Sequence, residues 1–232
     1  MPILSNYYRW LEANFKMPNG LFSTPLSSTG MINSPRSEAR YFIDFNATMA
    51  MNALYLSALG DILNDKDASF QYKRDYFSIK TRINSKMWNP EDGFYYDLDE
   101  NEIQVRTKTL GTYWLLLAEI PNEERAEKLI AKLKDPSCFG TDNPFPSLSV
   151  DHPAFDKKGQ GFRGSVFPWL TFMVIKGLEK YYFYELARNS AIRHLYYILD
   201  SMHNSDQEAN KRSNHPTVWS AYQPMNEGKA IW

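Results

Sequence analysis

Three times along this chain, a segment apolar on every side is followed by one apolar on a single side, and few folds accommodate that alternation. Between Ser37 and Leu63, Phe42, Phe45, Met49, Ala53, Leu54, Leu56, Leu59 and Ile62 cover nearly the whole circumference of a helix. That is the pattern of a helix with neighbours all round. In 67–88, by contrast, Tyr72, Tyr76, Ile79, Ile83 and Met87 recur every three or four residues, with Lys73, Arg74, Lys80 and Arg82 between them. This spacing predicts a surface helix with one buried face. "TKTLGTYWLLLAEI" (107–120) is expected as a second buried helix and "NEERAEKLIAKLKD" (122–135) as its amphipathic partner. "VFPWLTFMVIKGLE" (166–179) and 182–200, with Phe183, Leu186, Ala187, Ser190 and Ala191 on one face, make a third pair. Inner–outer pairs recurring at roughly 60-residue intervals repeat an architecture rather than a sequence. Such pairs build an α/α toroid, but a solenoid or a plain bundle gives a similar pattern, and periodicity alone does not choose.

The connections add a direction. "NPEDGFYYDLDENEIQV" (89–105) reads as a short β-hairpin bent at Asp-Gly. The stretch 136–165 is a loop rich in Pro, Gly and aromatics, and loops of that length inside a domain are usually functional or disordered. Its aromatic density argues for order. Both connections run from an outer helix to the next inner one, so both emerge at the same end. That end is where a site is expected.

Composition narrows the function classes. At 43% hydrophobic and 15% aromatic the chain can bury a core as a single domain over 1–232. A formal net charge of −1 gives no electrostatic reason to expect nucleic acid or an anionic membrane as partner. The single cysteine, Cys138, excludes an internal disulfide. No apolar run reaches the roughly 18 residues of a membrane span, and "MPILSNYYRW" lacks the order of a signal peptide, so a soluble cytoplasmic domain is expected. His152, His194, His203 and His215 show no metal spacing, and no Gly-rich phosphate loop is present. Neither metal nor cofactor is expected. "NKRSNH" (210–215) reads as a solvated linker, and the sequon Asn46-Ala-Thr48 falls within a buried helix, where it should not be used.

Five stretches, in order, carry a resemblance: "WLEANFKMPNGLF" (10–22), "GMINSPR" (30–36) with "IDFNATMAMNALYLSALGDIL", "RINSKMWNPEDGFYYDLD", "GFRGSVFPWLTFMVIKGLEKYYFYELA" and "TVWSAYQP" (217–224). Together they resemble inverting glycoside hydrolases of the trehalase-like and mannosylglycerate-hydrolase-like clan, close to glycoside hydrolase family 63. The resemblance implies an all-α fold, the six-hairpin α/α toroid, here as an incomplete arc of three to four helix pairs with a short β-hairpin. It further implies a fragment lacking the N-terminal helix pairs and the final helices, with a shortened open arc as the alternative. A missing neighbour would then expose the first inner helix at residues such as Met49 and Leu56, and self-association through the exposed inner helices is expected.

The same resemblance locates the chemistry. An inverting glycosidase uses one carboxyl as acid and another as base on opposite faces of the sugar. The family's acid, written G-M-D-N-S-P-R, aligns with Ile32, and its base, written T-V-W-E-x-Y-x-P, aligns with Ser220. Both carboxylates are absent while their surroundings are kept. Asn33, Arg36, Arg163, Trp219, Tyr222 and Phe22 map onto substrate-facing loops, with a surface salt bridge as the alternative for the arginines and local packing for the others. Trp10 is expected in the core, and Asp44 is expected to serve structure. The implied partner is a sugar or small glycoside. The implied function is a glycosidase-family protein without catalysis; the alternatives are a carbohydrate-binding or structural helical module and, more weakly, an epimerase-like toroid.

Overall fold

The computed structural model describes residues 2–204 and 218–225. The stretch 210–215, His215, Thr217 and Glu227 lie outside the described residues. The first inner–outer pair is α2 (Ile43–Ile62) and α3 (Lys66–Lys86). The four-, three- and four-residue steps of α3 bury Tyr72, Tyr76, Ile79 and Ile83 along one stripe, as the spacing predicts. Asp65 starts the helix by accepting the Ala68 N–H with its side chain (3.0 Å). The two helices touch closely because position 60 is glycine: a Cβ there would lie 2.7 Å from the Ser69 backbone nitrogen. Ser57 Oγ donates to the Ser69 carbonyl at the same contact (3.0 Å).

The second pair departs from expectation on its inner side. Residues 107–120 are largely buried, but they form a 3-10 turn (Leu110–Tyr113) and a single helical turn, α4 (Trp114–Leu117), rather than a full helix. Two constraints stop it. Before the turn, Thr109 bridges to Leu148 as an isolated antiparallel pair, and the Leu110 N–H donates to the Ser147 carbonyl (3.0 Å). After it, Glu119 takes a left-handed conformation (φ 55°). The apolar pattern therefore marks burial without marking helicity. Its outer partner α5 (Glu123–Lys134) forms as expected, with Asn122 accepting the Arg125 N–H, acids in its first turn and lysines in its last.

The third pair is α6 (Pro168–Lys180) and α7 (Tyr184–Asn204). Pro168 sits in the first turn of α6, where its missing N–H costs no hydrogen bond. Along the arc α2 packs on α4, α4 on α6 and α6 on α7, while α3 lies on α2. Between α3 and the second pair, two hairpins take the place of the single one expected. β1 (Trp88–Asn89) pairs antiparallel with β2 (Phe94–Tyr95), and β3 (Asp97–Leu98) pairs antiparallel with β4 (Gln104–Val105). The long loop 136–165 is ordered without regular structure.

Two expectations are overturned at the start of the arc. Met49 and Leu56 are buried, at 1% and 5% exposure. A helix ahead of the first pair, α1 (Pro2–Phe15), packs on α2 and buries Tyr8 and Leu11. Trp10, expected in the core, is 54% exposed. Its ring lies beside Tyr7 and Phe15, off the stripe of Tyr8 and Leu11 that α1 buries, where Tyr8 meets Tyr72 of α3 edge-on. The apolar edge thus lies on α1 rather than on α2. Asn46 is fully buried: its Nδ2 donates to the Phe22 and Phe42 carbonyls, and its Oδ1 accepts the Phe22 N–H (2.8 Å), so the sequon is structural. Among the described residues no helix is long and apolar enough to cross a membrane.

If α1 closes over α2 in this way, Met49→Ala should lower stability by about 2–4 kcal/mol. Ile62→Ala, at an exposed position of the same helix, should change it by no more than about 0.5 kcal/mol. Denaturant unfolding of both variants checks this, and equal effects would show that α1 does not cover α2.

Candidate functional site

The loops that precede the inner helices meet at one end of the arc. Loop 30–36 reaches loop 160–163 through one of its residues, Asn33. Asn33 Nδ2 donates to the Gln160 carbonyl (2.9 Å), and its Oδ1 accepts the Phe162 N–H (2.7 Å). The Asn33 carbonyl accepts from Arg163 Nε (3.4 Å). This clasp requires glycine opposite it: Gly161 has φ +56°, and a Cβ there would sit 2.7 Å from the Asn33 amide. Loop 160–165 in turn joins segment 218–225, where Val166 and Tyr222 exchange backbone hydrogen bonds of 2.9 Å in both directions. Three segments that lie far apart in sequence thus form one surface.

Beneath loop 30–36 sits a buried charge cluster. Arg36 is fully buried and holds two carboxylates: Nη1 and Nη2 donate to Asp44 (2.7 and 3.1 Å), Nε and Nη2 to Asp97 (2.7 and 2.9 Å). Its guanidinium also lies 5.0 Å over the Phe42 ring. Asp97 Oδ1 accepts the Ile43 N–H (2.8 Å), the first donor of α2. The helix needs that bond, because its N-cap residue, Phe42, offers no capping side chain. Burial pushes the Asp97 carboxyl above its usual range, and Arg36 only partly pulls it back. Burial opposes the guanidinium charge as well, but Asp44 and Asp97 outweigh it and hold Arg36 more firmly protonated than usual.

The segment around Ser220 is fixed by different means. Asn143 Nδ2 donates to the Gln223 carbonyl (3.1 Å) and the Asn143 N–H to the Pro224 carbonyl (3.2 Å). With Nδ2 donating, Asn143 Oδ1 is an acceptor, so the Nδ1 of His194, 2.8 Å away, carries the proton. His194 Nε2 is then a buried lone pair with no donor among the described residues. Burial lowers the His194 pKa to about 4. Tyr222 OH accepts the Trp219 N–H (2.9 Å), closing the turn that carries Ser220.

The residues singled out from the sequence therefore divide by depth. Asn33, Arg163 and Ser220 are exposed, Ile32 is 67% exposed, and Trp219 is half-buried. Arg36, Phe22 and Tyr222 are fully buried. Arg36 does form an ion pair, the alternative to a substrate contact, but in the interior rather than at the surface, and shared by two acids. Phe22 packs against Phe45 of α2, Tyr222 holds the turn that carries Ser220, and Asp44 is the structural acid expected. Asp97, Gly161 and the Asn143–His194 pair are additions to the sequence reading. Only the fold brings them to the site, and no spacing in the sequence marks them. Among the described residues no cluster of His, Cys, Asp or Glu is arranged to hold a metal ion. Neither Ile32 nor Ser220 brings an ionisable group to the surface.

Known proteins are similar to this chain in sequence and in fold. A family model described as the mannosylglycerate hydrolase MGH1-like glycoside hydrolase domain matches residues 1–226. The chain is 48% identical over its full length to an uncharacterised protein of Borreliella burgdorferi, and it covers 48% of that protein. It is 24% identical over 144 residues to a mannosylglycerate hydrolase of Rubrobacter radiotolerans, covering 59% of this chain and 31% of that one. The chain thus spans about half or less of the length of these curated relatives. In fold it is similar to the GH63 mannosylglycerate hydrolase of Thermus thermophilus solved with glucose. The TM-score is 0.80 at 20% identity, over 99% of this chain and 63% of that one.

Two outcomes test the supports. Arg36→Met leaves two buried carboxylates without a counter-charge and should cost about 3–5 kcal/mol in denaturant unfolding; a loss under about 1 kcal/mol would show that the cluster is not buried as described. For His194 the folded pKa lies below the ordinary 6.5, so the unfolded chain binds the proton first. Its contribution is complete above pH 6.5 and is lost as pH falls towards 4. His194→Gln should flatten stability across that window, by at most about 3 kcal/mol. An unchanged pH profile would contradict a buried neutral His194.

Proposed function

Because the chain belongs to the mannosylglycerate hydrolase MGH1-like glycoside hydrolase family, we propose that it is a glycosidase-family protein whose converging loops receive a small glycoside without hydrolysing it. Inverting hydrolysis needs a protonated carboxyl on the leaving oxygen and a carboxylate to activate water on the opposite face. The family resemblance aligns these with Ile32 and Ser220. Isoleucine has no proton to give, and a serine hydroxyl does not act as a base at neutral pH. Each such group typically contributes about 10²–10⁴-fold, and both faces of the reaction lose theirs.

The observation that carries this reading is the placement of the two positions. Ile32 and Ser220 both face solvent on loops that converge through the Asn33 clasp and the Val166–Tyr222 bridge. The binding part of this reading is supported by Arg163. Only its Nε is engaged within the described residues, and its other guanidinium donors, without a partner among those residues, suit sugar hydroxyls or a carboxylate. Mannosylglycerate, which carries both, suits such a donor.

The test is sugar release from mannosylglycerate, α-glucosides and α-mannosides by the purified chain and by Ile32→Asp with Ser220→Glu. The parent should release none. Either single variant should recover little, because the two groups act as a unit; the double variant should exceed both. Hydrolysis by the parent would show that another residue does the chemistry.

A further inference from the structure

The inner side of the second pair stops early, and a cavity opens where it stops. α4 ends at Leu117, while its neighbours α2 and α6 run on to Ile62 and Lys180. The carbonyls that follow α4 are met by side chains from α3 and from the turn after α6. Tyr76 OH lies within donating distance of the Ala118 and Glu119 carbonyls (3.0 and 2.9 Å), Lys80 Nζ donates to the Glu119 carbonyl (2.5 Å), and Tyr181 OH donates to the Pro121 carbonyl (2.8 Å). These groups line a cavity of about 850 Å³, within the roughly 300–1,000 Å³ of small-molecule sites. It lies past the C-terminal ends of α4 and α6, away from the loops that converge ahead of the inner helices, and every lining residue falls between Leu54 and Phe183.

Two residues of the lining are held in a backbone conformation that favours glycine. Glu119 (φ 55°) follows α4 and Tyr182 (φ 63°) follows α6, and each donates its N–H back to the helix it ends, to the Leu116 and Glu179 carbonyls (both 3.1 Å). Glycine is the usual residue at such a cap, and a side chain there is strained. Packing does not account for Tyr182, which is 79% exposed, and Phe77 beside the same cavity is 51% exposed. The charges around these rings have both signs. Lys180 and Glu119 neutralise each other (2.7 Å). What remains is the Lys80 ammonium on one side and the Glu123 and Glu127 carboxylates of α5 on the other. A cation is opposed by the first and an anion by the second.

We propose that this cavity binds a neutral polyhydroxylated ligand, an oligosaccharide, at a site separate from the converging loops. Sugar hydroxyls both donate and accept, so they can serve Glu123 and Glu127 as donors and Lys80 as acceptors. The C–H face of a pyranose carries the slight positive charge that an aromatic face attracts, and Phe77 and Tyr182 offer such rings at the mouth of the cavity. The strain at Tyr182 then has a purpose, because it presents a ring where a relaxed glycine would present none. The proposal does not rest on the reading of Ile32 and Ser220, since it uses none of the loop residues.

The experiment is a set of NMR titrations on the isotope-labelled chain, with the Glu119 and Tyr182 amides assigned. Maltotriose, choline and citrate serve as neutral, cationic and anionic probes. Maltotriose should shift both amides saturably, and choline and citrate should not. Tyr182→Gly should weaken maltotriose at least about tenfold without lowering the melting temperature, because glycine relieves the strain. Phe77→Ala should weaken it in the same sense with unchanged circular dichroism. Arg163→Ala, at the loops, should leave the shifts at Glu119 and Tyr182 as they are. Maltotriose shifts confined to loops 30–36 and 160–163 would overturn this site and leave the reading of the loops standing. No saturable shift with maltotriose, binding of choline or citrate alone, full affinity in Tyr182→Gly, or a lower melting temperature of that variant would each overturn it as well.

Discussion

One guanidinium shared between two buried carboxylates holds together the end of this molecule where the loops converge. Arg36 comes from loop 30–36, Asp44 from the first turn of α2 and Asp97 from β3, so the cluster joins three separate pieces of chain. It also reaches a fourth. A Cβ at Gly111 would lie 2.8 Å from Asp44 Oδ2 and 3.3 Å from Arg36 Nη1, so the 3-10 turn can press against the cluster only because it carries glycine there. Buried ion pairs are weak contributors to net stability compared with packed apolar groups. The consequence of this cluster is geometric. It starts α2 by satisfying the Ile43 N–H, and it fixes the backbone that presents Ile32 and Asn33.

That division of labour explains how, on the proposed reading, the surroundings of Ile32 and Ser220 can persist without carboxylates at those two positions. Supports such as Arg36, Asp97, Tyr222 and Asn143 are buried and hydrogen-bonded, and changing any of them disturbs packing. Ile32 and Ser220 face solvent and support nothing beneath them. Substitution at such positions rarely changes stability by more than about 0.5 kcal/mol. A chain can therefore keep the loop geometry of the site while carrying no acid or base on it.

Much of this is legible in the sequence where a periodicity expresses one physical environment. The stripes of α3 and α5 meet core on one side and water on the other, and their spacing reports it. The shared end of the long loops follows from chain direction alone. Other features escape because the sequence signal is ambiguous. Residues 107–120 are as apolar as a buried helix, yet strand-like bonds to Ser147 and Leu148 hold their first part extended. Met49 and Leu56 read as uncovered when α1 is not counted as a neighbour, and Trp10 reads as buried because aromatic residues usually are. Arg36 shows the limit most clearly. An arginine after a loop reads equally as a ligand contact or an ion pair, and only the positions of Asp44 and Asp97 decide it.

Retention of a sugar site from which the chemistry is missing is best tested by watching binding and turnover together. A single NMR sample would hold the purified chain with mannosylglycerate. The indole N–H of Trp219, assigned by its loss in Trp219→Phe, and the sugar's anomeric signal are followed in the same spectra. A saturable shift of the indole with an anomeric signal unchanged over days is the predicted result. Free mannose accumulating in the sample, or an indole indifferent to the ligand at every concentration, would contradict it.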